Sequence, residues 1–169
     1  SVLACLKESA FPADRLELEL IERSLVSGGD EVGRQLKQLR QAGVRISHDD
    51  CGTGQACLSM IHKLPNDTIK IDRSFILALD DEPRVLPIIQ AIAAMAHSLG
   101  KRIVAEGIEH VGPIPALLET GEMEFQGYLL SQPVPSQQVD QLIATWRSGI
   151  VMPDEFHADS ARLPVRCSQ

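Results

Sequence analysis

The sequence lacks most of what would tie it to thiolate, membrane or nucleic-acid chemistry. Its four cysteines, Cys5, Cys51, Cys57 and Cys167, form no CxxC pair and have no histidines at zinc spacing. That excludes a zinc finger and points to reduced thiols in a cytoplasmic domain. No long apolar run is present. The longest, around Ile88 to Met95, is broken by Gln90, far short of the ~20 residues a spanning helix needs. The opening Ser-Val-Leu-Ala has no basic region leading into an apolar signal segment. Positive charge is in deficit, 16 Lys and Arg against 23 Asp and Glu for a net −7, so binding of DNA or RNA by phosphate neutralisation is not expected. A phosphorylated small molecule stays open to an acidic protein if metal ions intervene. Low-complexity segments are absent as well.

What is present is 169 residues, 44% of them hydrophobic, enough for one domain with a real core. A unit recurs along them: a short apolar strand ending in acids, a loop, then an amphipathic helix. Strands are predicted at 15–20, 44–48, 68–72, 102–106 and 124–128. Asp30 is placed as the N-cap of a helix with Val32, Leu36 and Leu39 on one face and Gly43 closing it. A short helix is expected over 56–64. A longer one over 84–99 carries the stripe Ile88, Ile92, Met95 and Leu99. A weak helix follows at 115–119. Ser136 caps a last helix whose Val139, Leu142, Ile143 and Trp146 are taken as core, and residues 1–9 look like the end of another helix. Residues 150–169 read as an irregular tail after a domain over 1–149.

Strands alternating with helices indicate a parallel α/β sheet. The polar strand-end residues Glu19, Asp49, Lys70, Glu106 and Gln126 lie about 27 residues apart. Eight such steps need roughly 210 residues or more, so the expected fold is an incomplete (β/α)8 TIM-like barrel with about five βα units, its first units missing from this sequence or never present.

Helix-preceding strand ends are where α/β folds gather their chemistry. One acid there is usually a helix cap, but acids or amides on five successive strands are harder to dismiss. Glu19, Asp49, Asp50, Glu106 and Glu109 bring five negative charges to one rim and Lys70 returns one positive. Crowded carboxylates repel and shift one another's pKa, and two divalent cations would neutralise the rim. Hard oxygen ligands without His or Cys favour Mg²⁺ or Mn²⁺ over zinc, and paired metals are a recurrent solution for phosphodiester hydrolysis. A glycosidase needs only two acids and gives no reason for Lys70 and Gln126. His48 precedes the acid pair but alternates away from Asp49, so it is expected to be packed against the helix layer. Glu17 shares the side of Glu19 and is expected deeper along the same wall.

Taken together these residues resemble the EAL domains that hydrolyse cyclic di-GMP. Glu19-Leu-Ile-Glu22 is similar to the family's E-x-T-E segment, Asp49-Asp-Cys-Gly-Thr-Gly54 to DDFGTG, and Lys70-Ile-Asp72 is its KID. Ala105-Glu-Gly-Ile-Glu109 resembles AEGVE, and Gln126-Gly-Tyr128 is its QGY. The resemblance runs nearly to Trp146. It implies a modified barrel that cuts cyclic di-GMP to linear pGpG, with Glu19, Asp49 and Asp50 as ligands of two cations, Mg²⁺ or Mn²⁺. Lys70 would hold the attacking water, Glu106 would act as general base, and Glu109, Gln126 and Glu22 would support the site. It further implies a cytoplasmic enzyme, a homodimer contact through the loop and helix after Asp50, and an upstream sensory or GGDEF-type domain. The sequence departs from the pattern in having no Glu-Ala-Leu tripeptide and no Asn ligand of the early strands, which implies little activity for these 169 residues in isolation. Ile21, Cys51 and Gln55 stand where the family carries Thr, Phe and Tyr. The alternative in the same family is an inactive receptor or regulatory module that binds cyclic di-GMP without cutting it.

Overall fold

The structure is a computed structural model that describes residues 1–20, 29–51 and 65–147, the side chains at 29–30, 50–51 and 147 apart. The chain divides into two compact units, 1–130 and 131–169.

In the first unit, helix α1 (Val2–Ser9) and a 3₁₀ turn (Ala13–Arg15) lead into strand β1 (Glu17–Leu20). Helix α2 (Gly29–Gln41) precedes β2 (Arg45–Cys51), and Gly43 at φ +99° makes the reversal between them. Strand β3 (Thr68–Ile71) runs into α3 (Arg73–Ala78). A 3₁₀ turn (Pro83–Val85) opens α4 (Leu86–Ser98), followed by β4 (Arg102–Glu106), α5 (Ile114–Leu118) and β5 (Glu124–Gln126). In the second unit the described element is α6 (Ser136–Arg147). No described helix is long and apolar enough to cross a membrane.

The five strands pair in the order β1-β2-β3-β4-β5, every pair parallel. A sheet that winds onward without reversing its order is the arc of a (β/α) barrel and not a doubly wound sheet, whose order reverses at a switch point. The two faces of the sheet differ sharply in chemistry. Ile46, Ile69, Ile71, Ile103 and Ala105, all but inaccessible, form one face; on the helices Leu36, Ile76, Ile89, Ile92, Ala93, Ala96 and Leu117 are buried likewise, with Leu36 packed on Ile46. The other face carries Glu17, Glu19, Thr68, Lys70, Arg102, Glu124 and Gln126, which line a cavity of about 380 Å³. Period-two alternation along five aligned strands thus separates an apolar core from a charged wall.

Five expectations need correction. The first strand starts at Glu17, because Ala13–Arg15 is a turn. Asp72 does not extend β3. It caps α3, its Oδ1 accepting from Ser74 N at 2.9 Å, a short helix for which the sequence pattern gives no periodic sign. The buried stripe of α4 is Ile89, Ile92, Ala93 and Ala96, while Ile88 and Leu99 are nearly half exposed. The helix is apolar on almost every side, so two stripes fit its periodicity, and the one with two alanines lets it settle closely on the sheet. The fifth strand ends at Gln126, leaving Tyr128 exposed. In α6, Val139 and Ile143 are exposed and Trp146 is half-buried, so this helix does not supply the core expected of it. The helix expected over 56–64 and the tail from 150 lie outside the described residues.

The α4 rotation has a measurable consequence. Ile92→Ala opens a cavity in the core and is expected to cost about 2–5 kcal/mol of stability, whereas Ile88→Ala on the open side stays within about 0.5 kcal/mol. Urea denaturation of the two variants checks this, and equal losses would restore the other stripe.

Candidate functional site

Lys70 stands on β3, between the strands that deliver the acids. Every residue of β3 is buried, and the Lys70 side chain is only 6% exposed. Its ammonium donates to Glu19 Oε1 on β1 at 2.7 Å and pairs with Glu106 Oε1 at the end of β4 at 2.5 Å. Asp49 Oδ1 on β2 lies 3.6 Å away. Three carboxylates from three strands therefore converge on one cation, although 51 residues separate Glu19 from Lys70 in sequence.

Such a knot is stable only if the anions are compensated, since an unpaired buried charge costs several kcal/mol. Burial by itself works to lower the Lys70 pKa. The hydrogen bonds to Glu106 and Glu19 and the charges of Glu106 and Asp49 outweigh it, so the ammonium titrates well above the ordinary lysine value. Burial pushes the Glu106 carboxyl above its ordinary range, against the pull of Lys70, and the nearby charges of Asp49 and Glu19 push it further. The result is a cation that keeps its proton and a carboxylate that is a better proton acceptor than a solvated one.

Asp49 is placed by an irregularity in the sheet. His48 pairs with Ile69 but Cys51 pairs with Ile71, so β2 takes three steps where β3 takes two. A bulge of this kind re-aims side chains, and here it falls on the Asp49-Asp50 pair. His48 is fully buried, on the same side of β2 as Ile46, as alternation requires.

Beneath Lys70 lies a second charged layer, in which Glu17 takes the deeper place that alternation gives it, while Arg102, Thr68 and Glu124 carry no expectation from the motifs. Arg102 donates to Glu17 Oε2 at 2.8 Å, to Thr68 Oγ1 at 2.6 Å and to Glu124 Oε1 at 3.3 Å. Glu17 also meets Arg45 Nε at 3.5 Å. The signal for this layer was in the sequence: Glu17, Thr68, Arg102 and Glu124 each sit two residues before a rim residue or an inward neighbour of one.

The structure brings together Glu19, Asp49, Lys70 and Glu106, and Gln126 lines the same cavity as Glu19 and Lys70. Glu109 is not brought in; its Oε1 accepts from Arg73 Nη2 at 2.6 Å, outside the cluster. Glu22 and the Asp50 side chain lie outside the described residues. Among the described residues no three acids or histidines form a ready-made metal cage. The donors nonetheless suit a hard cation. All are oxygens, and Asp49 Oδ1 is buried without a hydrogen bond among the described residues, its charge met only by the ammonium at 3.6 Å.

Removing the cation is expected to be costly. With metal chelated, Lys70→Met should lose about 3 kcal/mol at neutral pH, the low end for breaking a buried pair because Glu19 is more than half exposed. The sign with pH follows from the raised folded-state pKa. The gap to wild type persists up to the ordinary lysine value of 10.5. It narrows above that, as the unfolded chain releases a proton the folded one retains. Denaturant titrations of both proteins across that range test this; a gap that widens with alkalinity contradicts it.

Comparison with known proteins agrees with this fold. The EAL domain model matches residues 1–133. The cyclic di-GMP phosphodiesterase NbdA of Pseudomonas aeruginosa is 38% identical over 142 residues, 84% of this chain but 18% of NbdA. The chain thus spans about a fifth of that relative's length. Among solved structures, the EAL domain of Mycobacterium smegmatis DcpA superposes with a TM-score of 0.79 at 38% identity, covering 85% of this chain and 65% of that one. BlrP1 of Klebsiella pneumoniae, solved as a manganese and cyclic di-GMP complex, gives a TM-score of 0.72 at 28% identity, covering 78% of this chain and 34% of that one.

Proposed function

Because this chain belongs to the EAL domain family, we propose that it cuts one phosphodiester bond of cyclic di-GMP, giving linear pGpG, with two divalent cations held at the rim of the sheet. The observation that carries the reading is the convergence of Glu19, Asp49 and Glu106 on the Lys70 ammonium, with Gln126 in the same cavity.

A cyclic dinucleotide is an anion, and the wall it would meet is mostly acidic. Lys70 and Arg102 are the cations lining that cavity, and both are already committed to carboxylates. Binding an anion there calls for added positive charge. Glu19 and Asp49 would hold it, together with Asp50, and the buried oxygen of Asp49 is the place where it is most needed. Mg²⁺ or Mn²⁺ so bound would lower the pKa of a water and screen the phosphate.

The remaining roles follow from this chain's own groups. Lys70 keeps its proton, so it acts as a donor, holding the attacking water and meeting charge that develops on the phosphoryl oxygens. Glu106, its carboxyl raised by burial, accepts the proton that water gives up. Gln126, an uncharged donor and acceptor on the cavity wall, orients substrate without adding to the negative charge. Glu109 and Glu22 are assigned supporting roles, the latter at the loop that follows Asp50. That loop and its helix are also the proposed homodimer contact, and a sensory or GGDEF-type domain is the proposed upstream neighbour. The setting proposed is cytoplasmic second-messenger signalling.

The test uses the natural polypeptide that carries this chain, with cyclic di-GMP and either Mg²⁺ or Mn²⁺, and separates pGpG by chromatography. Turnover should stop on chelation and return with the metal. Asp49→Asn and Lys70→Met should each lower kcat by about 10²–10⁴-fold, with Asp49→Asn leaving the melting temperature of the chelated protein almost unchanged. Absence of pGpG at every metal concentration overturns the reading.

A further inference from the structure

Glu106 leaves β4 into a turn that is gripped from two sides. Gly107 holds φ +75°, and a Cβ placed there would lie 2.2 Å from Arg73 Cγ and 2.8 Å from its Cβ. The aliphatic stem of Arg73, the first residue of α3, therefore lies directly across the residue after Glu106. Its guanidinium then reaches Glu109 Oε1 at 2.6 Å, so α3 closes over the whole turn from 106 to 109. On the far side, Ile108 N donates to Gln126 O at 3.1 Å and Leu129 N to Ile108 O at 2.9 Å. Gly127 approaches so closely that a Cβ there would stand 2.1 Å from Ile108 O. One residue on, His110 Nε2 meets Asp80 Oδ2, in the segment after α3, at 2.8 Å.

The geometry points to Arg73 as a positioning residue for Glu106. Its stem and its charge lock the turn after β4, so that the Glu106 carboxylate stays on Lys70 and is presented in one orientation. Glu109 works through this clamp as the anchor for the guanidinium, and its acidity serves Arg73 rather than the substrate. The pair is largely exposed, at 55% and 38%, and exposed pairs contribute little to global stability. The effect of Arg73 is accordingly local. It is read in the chemistry, where a misplacement on the order of 1 Å costs as much as 100-fold, and not in unfolding.

The inference rests on the proposed hydrolysis for its kinetic arm and is independent of it for its structural arm. In the natural polypeptide, Arg73→Met keeps the stem and removes the charge, Arg73→Lys keeps both, and Glu109→Gln removes the anchor. Arg73→Met is expected to lower kcat by about 10–100-fold with KM within about twofold and an unchanged melting temperature. Arg73→Lys should recover most of the loss, and the Arg73→Met/Glu109→Gln double variant should be no slower than Arg73→Met alone. Hydrogen exchange at the Ile108 and Leu129 amides, whose hydrogen bonds hold the turn, should quicken about tenfold in Arg73→Met, as expected for local opening. A wild-type protein that turns over while Arg73→Met keeps its kcat overturns the inference. So does a kcat loss that comes with a fallen melting temperature and no rescue by lysine. If the wild type makes no pGpG, the proposed function fails, and exchange alone decides the clamp: faster exchange upholds it, unchanged exchange overturns it.

Discussion

One ammonium group holds the charged wall of this sheet together. Glu19, Asp49 and Glu106 belong to three strands, two on one side of β3 and one on the other, and three carboxylates gathered at one point repel. They coexist because β3, the central strand, places Lys70 among them at 2.5–3.6 Å. The lysine can stay there because the strand beneath it is immobilised: Ile69 and Ile71 on the opposite face are fully inaccessible, so the apolar core fixes the polar site from behind. Arg102 repeats the device one layer deeper, with Glu17 and Glu124 as its anions. The inner wall is thus two charge layers, each centred on a single cation, the Lys70 layer depending on its cation more because that side chain is only 6% exposed against 37% for Arg102.

Strand positions and the rim were legible from the sequence because they rest on alternation. Glu17 and Glu19, Thr68 and Lys70, Glu124 and Gln126 are pairs two residues apart, and a parallel sheet turns that spacing into one shared face. Legibility failed where a local pattern had two solutions or none. Helix α3 has six residues, fewer than two turns, and leaves no periodic trace; Asp72 could be a strand residue or a cap until the backbone chose. Helix α4 is apolar nearly all round, so its core face was decided by how closely Ala93 and Ala96 let it approach the sheet. The β2 bulge is a register effect between two strands, and nothing within the Asp49-Asp50 pair announces it. Glu109 had the motif position of a site residue, but its placement depends on Arg73, which lies 36 residues earlier.

These failures share a cause that bears on function. The acids nearest Lys70 come from strand interiors and ends, where hydrogen-bonded register controls direction. Glu109 lies in a turn, where direction depends on whatever the turn packs against. Motif spacing therefore carries more weight for Glu19, Asp49 and Glu106 than for Glu109, even though all four lie in segments read for the same resemblance.

The two ionisation shifts at the centre of the site pull in different senses, and that tension suits the proposed hydrolysis. Lys70 is driven toward its charged form by its neighbours, while Glu106 is driven toward its neutral form by burial and by the other acids. Were the cluster optimised for stability alone, the acid would be ionised as readily as the lysine, or both would be replaced by apolar residues of similar volume, which is often no less stable. Instead the site retains a carboxylate of raised proton affinity next to a permanent donor, and beside them Asp49 Oδ1, buried and without a hydrogen bond among the described residues. The raised acid and the oxygen without a hydrogen bond cost folding free energy while the paired ammonium stabilises, and the three together match what the proposed cleavage of an anionic diester needs: a proton acceptor, a fixed positive charge, and an oxygen that can bind more of it.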